Sequence, residues 1–284
     1  MTAAATEQRL VNRLTRASGS NFYYSFLFLP RDRREAIHSV YAFCRAVDDS
    51  VDAAPDPAQA ASRVAFWRNE LSACFDGAPT DPIARSLAAH LKQFPIQRRH
   101  LEEIIEGVAM DVQPSRYETF EDLRRYCYRV ASAVGLVCIE IFGYTDSAAR
   151  EYATNLGLAF QLTNILRDVK PDAERGRIYV PQEDLRRFAC PEGDLSAPQA
   201  SDAFRSLMRF EVARTKGLFA RAASSLPPAD RRTLFPAEIM RAIYAAILER
   251  ISLDVGSVLA GKVRLSRARK LGLAAGIYLS SRLA

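Results

Sequence analysis

The chain is short of the residues that dominate turn-rich folds. Its 284 residues include 13 glycines and 14 prolines, a combined share below a tenth. This scarcity argues against a turn-rich β protein, a collagen-like chain and a disordered chain. Because 49% of the residues are hydrophobic and 25% are charged, we expect a large buried core in a chain that folds on its own.

Signatures of zinc sites and activated nucleophiles are also missing. The five cysteines form no Cys-X-X-Cys motif, and the three histidines form no His-Glu-X-X-His motif. We therefore expect reduced cysteines, most of them in the core, and neither a zinc site nor a Cys/His or Ser/His/Asp catalytic group.

No hydrophobic run has the length of a membrane span. Residues 271–279 fall far short of the roughly 20 residues required, and the run at 131–143 contains Glu140. Residues 1–10 lack the apolar core of a signal peptide. We expect a cytoplasmic protein with at most peripheral membrane contact. The segment 271–284, which follows a basic run, would either lie on an anionic membrane surface or pack as an ordinary helix.

Helical periodicity is what the sequence does show. No alternating pattern, solenoid repeat or linker interrupts it, so residues 1–284 are predicted to form one all-α domain. The helices are predicted at 31–51, 58–75, 82–93, 96–110, 117–142, 147–169, 199–225, 228–260 and 266–282.

The net charge of +6 is compatible with several anionic partners, namely phosphorylated ligands, membrane surfaces and nucleic acid. A basic helical nucleic-acid-binding or scaffold protein is therefore one alternative. The basic runs at 31–34, 97–99 and 264–270 lie in separate segments, and no helix-turn-helix pattern accompanies them. We expect no nucleic-acid partner, and the sequence does not indicate an oligomeric state.

The first informative cluster is YAFCRAVDDSVD at 41–52. On an ideal helix Tyr41, Arg45, Asp48 and Asp52 share one face within about 60°, whereas Asp49 turns about 100° away from Asp48.

The second cluster is QLTNILRDVKPD at 161–172, where Gln161, Asn164, Asp168 and Asp172 share one helix face and Arg167 lies to its side. Pro171 disfavours a helical Lys170, so Asp172 is expected to come from a loop if the helix ends at residue 169.

Carboxylates one helical turn apart repel each other, and the repetition of this pattern suggests a bound cation. Oxygen ligands without cysteine or histidine favour Mg²⁺, which shares its coordination with water and substrate phosphates. Arg45 and Gln161 would then contact a phosphate-bearing ligand. The competing interpretation is two solvated acidic helix faces.

With their flanking segments, the two clusters resemble the aspartate-rich motifs of the squalene/phytoene synthase family. The flanking segments are SNFYYSFLFLP (20–30), YCYRVASAVG (126–135) and RGRIYVP (175–181). The resemblance covers nearly the whole chain. It implies the all-α, single-domain isoprenoid synthase type I fold, a helical bundle around a central cavity. Within the family, the 20–30 and 132–144 segments are most similar to presqualene diphosphate synthases of bacterial hopanoid pathways.

The resemblance implies Mg²⁺-dependent, head-to-head condensation of two farnesyl diphosphates to presqualene diphosphate. Mn²⁺ is an alternative ion, and no NADPH is expected. The expected metal ligands lie on opposite cavity walls: Asp48 and Asp52, supported by Asp49, and Asn164, Asp168 and Asp172. Asp48, Asp52, Asp168 and Tyr41 are the expected catalytic residues. Substrate binding is expected from Ser18, Ser20, Asn21, Tyr41, Arg45, Tyr128, Gln161, Asn164, Arg167, Arg177 and Lys262, with Tyr179 and Arg264 as further candidates.

Several of these residues have alternative structural interpretations. Tyr41 would stabilise a carbocation, take part in proton removal or simply pack in the core. The stripe formed by Tyr128, Ala131, Ser132 and Gly135 would line a groove for a prenyl tail or provide close helix packing. Tyr244 is interpreted as a core residue. The alternative product assignment within the family is dehydrosqualene or phytoene.

Overall fold

The described part of the chain is helical nearly throughout. The computed structural model describes residues 3–113, 116–261 and 263–283, and within them no β-strand forms, although Arg116 and Ile178 make a single parallel bridge. The helices are α1 (Ala3–Ala17), α2 (Asn21–Phe26), α3 (Arg31–Asp52), α4 (Pro57–Asp76), α5 (Pro82–Leu91), α6 (Arg98–Ala109), α7 (Phe120–Cys127), α8 (Ala133–Phe142), α9 (Ala148–Arg167), α10 (Val169–Glu174), α11 (Gln182–Arg187), α12 (Asp202–Ser225), α13 (Phe235–Leu253), α14 (Ser257–Ala260) and α15 (Arg267–Leu283).

Helix α9 lies at the centre of the bundle and packs against α8, α12 and α13. Helix α3 buries one apolar face, including Phe43 and Val47, against α4 and α5. The adjoining face of α3 is turned to the interior, where cavities separate it from α9. None of the described helices combines the length and apolarity needed to span a bilayer.

The helix predicted at 117–142 is interrupted. It starts at Phe120, after a capping box formed by Thr119 and Asp122, and residues 128–132 form a π-helical turn between α7 and α8. Two glycines approach this turn closely: a Cβ on Gly107 would lie 2.7 Å from Arg129 Cβ, and one on Gly157 would lie 2.5 Å from Ser132 Cα. The π turn is therefore packed closely against α6 on one side and α9 on the other.

The helix predicted at 228–260 is also broken. A short 3₁₀ turn at Pro228–Asp230 precedes α13, which runs from Phe235 to Leu253. Helix α14 then begins at Ser257. The carboxylate of Asp254 accepts the backbone N–H of Gly256 at 3.0 Å, and its carbonyl accepts the Ser257 hydroxyl at 2.7 Å. Such local hydrogen bonds compete with helix continuation.

The second acidic segment adopts neither of the conformations expected for Asp172. Helix α9 ends at Arg167, Asp168 leaves the helical conformation, and α10 starts at Val169 with Lys170 inside it. The expectation that Pro171 prevents a helical Lys170 was wrong. Pro171 is the third residue of α10, in the first turn, where its missing N–H removes no intrahelical bond.

The periodicity does not predict α1 or α2. Within the described part of α1 only Val11 and Thr15 are buried, and α2 has six residues. Helix α2 is too short to be recognised from hydrophobic spacing, and α1 has only three large apolar residues, Leu10, Val11 and Leu14.

We predict that Gly157→Ala destabilises the fold by about 1–3 kcal/mol, because the added methyl would overlap backbone atoms of the π turn that cannot move away singly. Gly217→Ala in α12 is the matched control. Its Cβ would meet nothing nearer than Arg221 Nη1 at 4.0 Å, so it should stabilise the helix by about 0.5–1 kcal/mol. Urea unfolding of both variants measures the difference, and equal effects would contradict the tight contact.

Candidate active site

A polar cavity of about 250 Å³ lies between α3 and the α9–α10 junction. Both predicted acidic clusters contribute to its wall, together with residues from α6, α7 and the segment after α10. The lining residues are Asp48, Val51, Asp52, Val108, Asp111, Tyr126, Val130, Gln161, Asn164, Ile165, Arg167, Asp168, Asp172, Arg177 and Tyr179.

An apolar cavity of about 270 Å³ adjoins the polar cavity. Its walls come mainly from α2, α3, α8, α9 and α13, with the aromatic rings of Phe22, Tyr41 and Phe160 among them. Four residues line both cavities: Asp48, Val130, Gln161 and Asn164. The two spaces therefore form one site with a charged end and a greasy end.

The helical-face prediction for the first cluster is confirmed. Asp48 and Asp52 line the polar cavity, and Tyr41, Arg45 and Asp48 line the apolar one. Asp49 turns away from both cavities and binds Arg45 at 2.6 Å. Its contact with the site is therefore through Arg45.

The second cluster also lines the polar cavity, but it does not form the single helix face that the spacing predicts. Gln161 and Asn164 come from α9, Asp172 comes from α10, and Asp168 lies at the junction between the two helices. Arg167, expected at the side of this face, reaches the cavity too because α9 ends there.

Arginines already neutralise much of the acidic wall. Arg167 forms an ion pair with the adjacent Asp168, and Arg177 Nη1 lies 2.8 Å from Asp52 Oδ1. The second pair joins the end of α3, where Asp52 lies, to the segment after α10, where Arg177 lies. Guanidinium groups that bind carboxylates in this way are also the preferred partners of phosphate oxygens.

Comparison with known proteins identifies the family. The sequence profile described as squalene/phytoene synthase matches residues 15–269. The chain belongs to the squalene/phytoene synthase family. Members of this family are prenyltransferase-type enzymes, and the match favours the enzyme class over a nucleic-acid-binding or scaffold protein.

Curated relatives of this family member include two cyanobacterial proteins named 15-cis-phytoene synthase. The one from Synechocystis sp. is 34% identical over 274 residues, which cover 92% of this chain and 81% of that protein. The one from Synechococcus elongatus is 34% identical over 272 residues, covering 91% of this chain and 88% of that protein.

Solved structures with the same fold include a dehydrosqualene synthase bound to a ligand and a squalene synthase, HpnC, from Alicyclobacillus acidocaldarius. The first has a TM-score of 0.85 at 26% identity, covering 99% of this chain and 98% of that one. The second has a TM-score of 0.78 at 32% identity, covering 87% and 94% respectively. The predicted all-α isoprenoid-synthase fold is thereby confirmed.

In this family member, the close approach of partly buried acidic groups raises the free energy of their ionised forms. Asp48 is reached by water in the cavity but is surrounded by protein on its other sides. This burial, with Asp52 one turn away, raises the pKa of Asp48 to about 7. Burial and repulsion from Asp168 likewise raise the pKa of Asp172 to about 6.

The residues present fit a hard cation that keeps part of its hydration shell. The Oδ1 atom of Asn164 is buried and has no hydrogen-bond partner among the described residues, so it is free to coordinate an ion. In the described part of the chain, no three carboxylate, histidine or cysteine groups converge tightly enough to enclose a metal on their own. Mg²⁺ suits such a site, because it needs only one or two carboxylates when water and phosphate complete its shell.

Two site residues escape the sequence analysis, Asp111 and Tyr126. Asp111 accepts hydrogen bonds from the hydroxyls of Tyr126 at 2.7 Å and Tyr179 at 2.8 Å. Burial raises the pKa of Asp111, and the two hydroxyl donors oppose the shift. Two sequence signals could have found them. Asp111 is an acid among apolar residues just after α6, and Tyr126 is the first tyrosine of the 126–135 segment.

Tyr128 lies outside both cavities, contrary to its predicted place in the wall. The prediction assumes an unbroken α-helix, whereas the π turn at residues 128–132 accommodates one extra residue and so shifts the phase of the helix. Val130, Ala131 and Gly135 line the apolar cavity instead, and Ser132 is buried with its hydroxyl on the carbonyl of Thr154.

The predicted polar turn before α2 is only partly in the site. Ser20 lines the apolar cavity and caps α2, whereas Ser18 is exposed and donates its hydroxyl hydrogen bond to the carbonyl of Thr15. The structure therefore does not bring Ser18 to either cavity. Lys262 lies outside the described residues.

Tyr244 is both buried and part of the cavity wall, so its interpretation as a core residue alone was incomplete. Burial raises its pKa, whereas hydrogen bonds with the Asn164 and Asn21 side chains act in the opposite direction. Asn21 thus reaches the site through Tyr244, although it lines neither cavity.

We predict that Asp48→Asn stabilises the metal-free protein at pH 8. The folded pKa of Asp48 lies above its unfolded value, so its stabilising contribution is present at low pH and is lost as the pH rises through about 7. After allowance for screening by cavity water, the gain in the variant should be about 1–2 kcal/mol at pH 8 and close to zero near pH 4.

The control is Asp49→Asn, the neighbouring residue that faces away from the cavities and holds Arg45. It should change stability by less than about 1 kcal/mol at either pH. Urea unfolding in EDTA between pH 4 and pH 8 tests both variants. An Asp48→Asn protein no more stable than the wild type at pH 8 would refute the cost that burial and repulsion from Asp52 place on the ionised Asp48.

Proposed function

We propose that the chain is a Mg²⁺-dependent prenyltransferase that joins two molecules of farnesyl diphosphate head to head into presqualene diphosphate. The observation that carries the proposal is the union of a charged cavity and an apolar cavity at Asp48, Gln161 and Asn164. A ligand that fills both must have an anionic head and a long hydrocarbon tail. Prenyl diphosphates have this form.

The diphosphate head is bound at the charged end. Arg45, Arg167 and Arg177 are paired with Asp49, Asp168 and Asp52 respectively, at contacts of 2.8 Å or less. When substrate enters, these guanidiniums turn to phosphate oxygens. The released carboxylates then become available to cations.

Asp48, Asp52, Asn164, Asp168 and Asp172 would hold the ions. Bound Mg²⁺ neutralises the diphosphate and makes it a better leaving group.

The apolar cavity protects the reacting carbon atoms. When the C1–O bond of the first substrate breaks, diphosphate departs with the electron pair and leaves an allylic cation. Tyr41 lies in the cavity wall beside Phe22, with 6.2 Å between the two ring centroids. The face of its ring stabilises this positive charge. Exclusion of water by the apolar wall prevents capture of the cation as an alcohol.

The remaining steps form a cyclopropane. C1 of the first substrate adds to the C2=C3 double bond of the second, and loss of one proton closes the ring. The products are presqualene diphosphate, inorganic diphosphate and a proton. The 32% identity to a structure named as squalene synthase HpnC supports the choice of C15 substrates.

A dehydrosqualene or phytoene synthase is the second candidate. Its support is that the curated relatives described above are named phytoene synthases, and that a dehydrosqualene synthase has nearly the same structure over 99% of this chain. These activities would use the same bipartite cavity. They differ in tail length and in the fate of the cyclopropane.

Incubation of purified protein with farnesyl diphosphate and Mg²⁺, without NADPH, tests the proposal. We expect a C30 diphosphate in the mass spectrum that disappears in EDTA. A C30 hydrocarbon would instead establish the dehydrosqualene reaction, and a C40 product formed from geranylgeranyl diphosphate would establish phytoene synthesis. No product from C15 or C20 substrates, with a folded protein, would refute the proposed function.

We predict that Arg177→Lys raises the KM for prenyl diphosphate about tenfold, because lysine keeps the charge but loses the planar fork that binds two oxygens. Arg124→Lys is the matched control. Arg124 of α7 binds Glu121 with two contacts of 2.6 Å, but it lines neither cavity. Steady-state kinetics distinguish them, and an unchanged KM in Arg177→Lys would exclude the proposed exchange of partners.

A further inference from the structure

The C-terminal thirty residues carry the whole net charge of the protein. Residues 255–284 contain six basic side chains and no acidic one. The preceding 254 residues contain 33 basic and 33 acidic side chains, so they are neutral overall. The six are Lys262, Arg264, Arg267, Arg269, Lys270 and Arg282.

The five described members of this group have no carboxylate partner within the described residues. Lys270 lies over the ring of Tyr24 at 5.3 Å, and Arg282 over the ring of Tyr278 at 5.1 Å. The pKa of Lys270 is lowered by burial and by the nearby cations Arg167, Arg264 and Arg267. These positive charges therefore repel one another.

Helix α15 packs by one side only. Ala274 and Ser281 are buried on that side, where α15 contacts α13 and α2. Tyr278 fixes the packing by stacking on Phe28 at 4.5 Å and meeting Phe235 edge to face at 5.3 Å.

The outer side of α15 exposes apolar residues beside Ser280 and its arginines. Leu271 is 47% exposed and Leu279 is 61% exposed, and Ala268, Gly272 and Gly276 between and beside them are exposed as well. Leu253, at the end of α13, is 80% exposed. A hydrogen bond from Arg250 to the carbonyl of Arg264 joins this end of α13 to the segment before α15.

We propose that the outer face of α15 docks on an anionic lipid bilayer. The leucines enter the boundary between headgroups and acyl chains, and Arg267, Arg269 and Arg282 contact lipid phosphates. A helix face that met only water would ordinarily carry charges of both signs, whereas this face combines bare leucines with charge of one sign. That combination complements an anionic membrane surface.

Docking at α15 brings lipid close to the apolar cavity. Helix α2 contacts α15 and also supplies Phe22 and Phe26 to the cavity wall. One short helix thus separates the proposed lipid contact from the greasy end of the site. If the proposed function holds, this position suits a prenyl chain that passes between bilayer and cavity, but the docking itself does not depend on that function.

Vesicle flotation of the full chain tests the docking without any activity measurement. The vesicles contain either phosphatidylcholine alone or phosphatidylcholine with 30% phosphatidylglycerol. We expect binding to the anionic vesicles, a marked loss in 0.5 M NaCl, and little binding to the neutral ones. Arg267→Gln/Arg269→Gln should lower the partition coefficient about 25-fold, and Leu271→Ser/Leu279→Ser about tenfold or more.

Matched variants remove the same groups elsewhere. Arg209→Gln/Arg221→Gln takes two exposed cations from α12, and Leu14→Ser takes an exposed leucine from α1. Both should bind anionic vesicles within about twofold of the wild type. Equal loss in the α12 variant would overturn the proposal, because it would indicate only a response to net charge.

Two other results would also overturn it. One is absence of binding to anionic vesicles by the folded wild type. The other is a concentration-dependent dimer, detected by light scattering, that Leu271→Ser/Leu279→Ser dissociates while vesicle binding stays unchanged. That result would assign the face to a second copy of the chain.

Discussion

Repulsion among carboxylates in one cavity is the constraint on which the rest of this structure depends. Four motif aspartates lie close together on α3, at the α9–α10 junction and in α10. Burial and mutual repulsion raise the pKa values of Asp48 and Asp172, which records the cost. Arg167 and Arg177 offset part of it through ion pairs. Only a rigid helical frame keeps such groups together, since flexible segments would relax towards solvent. The empty site therefore holds these acids at a cost that bound cations would offset.

The apolar half of the site depends on a different kind of contact. Gly107 and Gly157 let α6 and α9 approach the π turn so closely that a methyl group would overlap its atoms. This packing closes the bundle on one side, while small residues such as Ala131 and Gly135 leave space on the other. The same short segment thus seals the wall and shapes the cavity. A greasy, water-poor space results directly beside a highly charged one.

Helical periodicity predicts the parts of the site that are local in sequence. The shared face of Tyr41, Asp48 and Asp52 follows from 100° per residue, and the structure agrees. Tyr128 is misplaced because a π turn, set by packing from distant glycines, shifts the helix phase. Asp111 escapes notice because a single acid becomes meaningful only beside Tyr126 and Tyr179, which tertiary packing supplies.

The same distinction applies to the ion pair between Arg177 and Asp52, which are separated by 125 residues. No local pattern indicates that pairing. Periodicity predicts most of the long helices of the bundle, but the breaks at Asp168 and Asp254 arise from capping and local hydrogen bonds that spacing does not reveal. The charge balance of the polar cavity then gives a physical reason for metal dependence. Five carboxylates and two guanidiniums line it, so a free diphosphate would meet net repulsion. Under the proposed function it would enter together with divalent cations, which bind carboxylate and phosphate oxygens at the same time. The acidic wall that makes the empty site costly would then make the binding of ion and substrate mutually dependent.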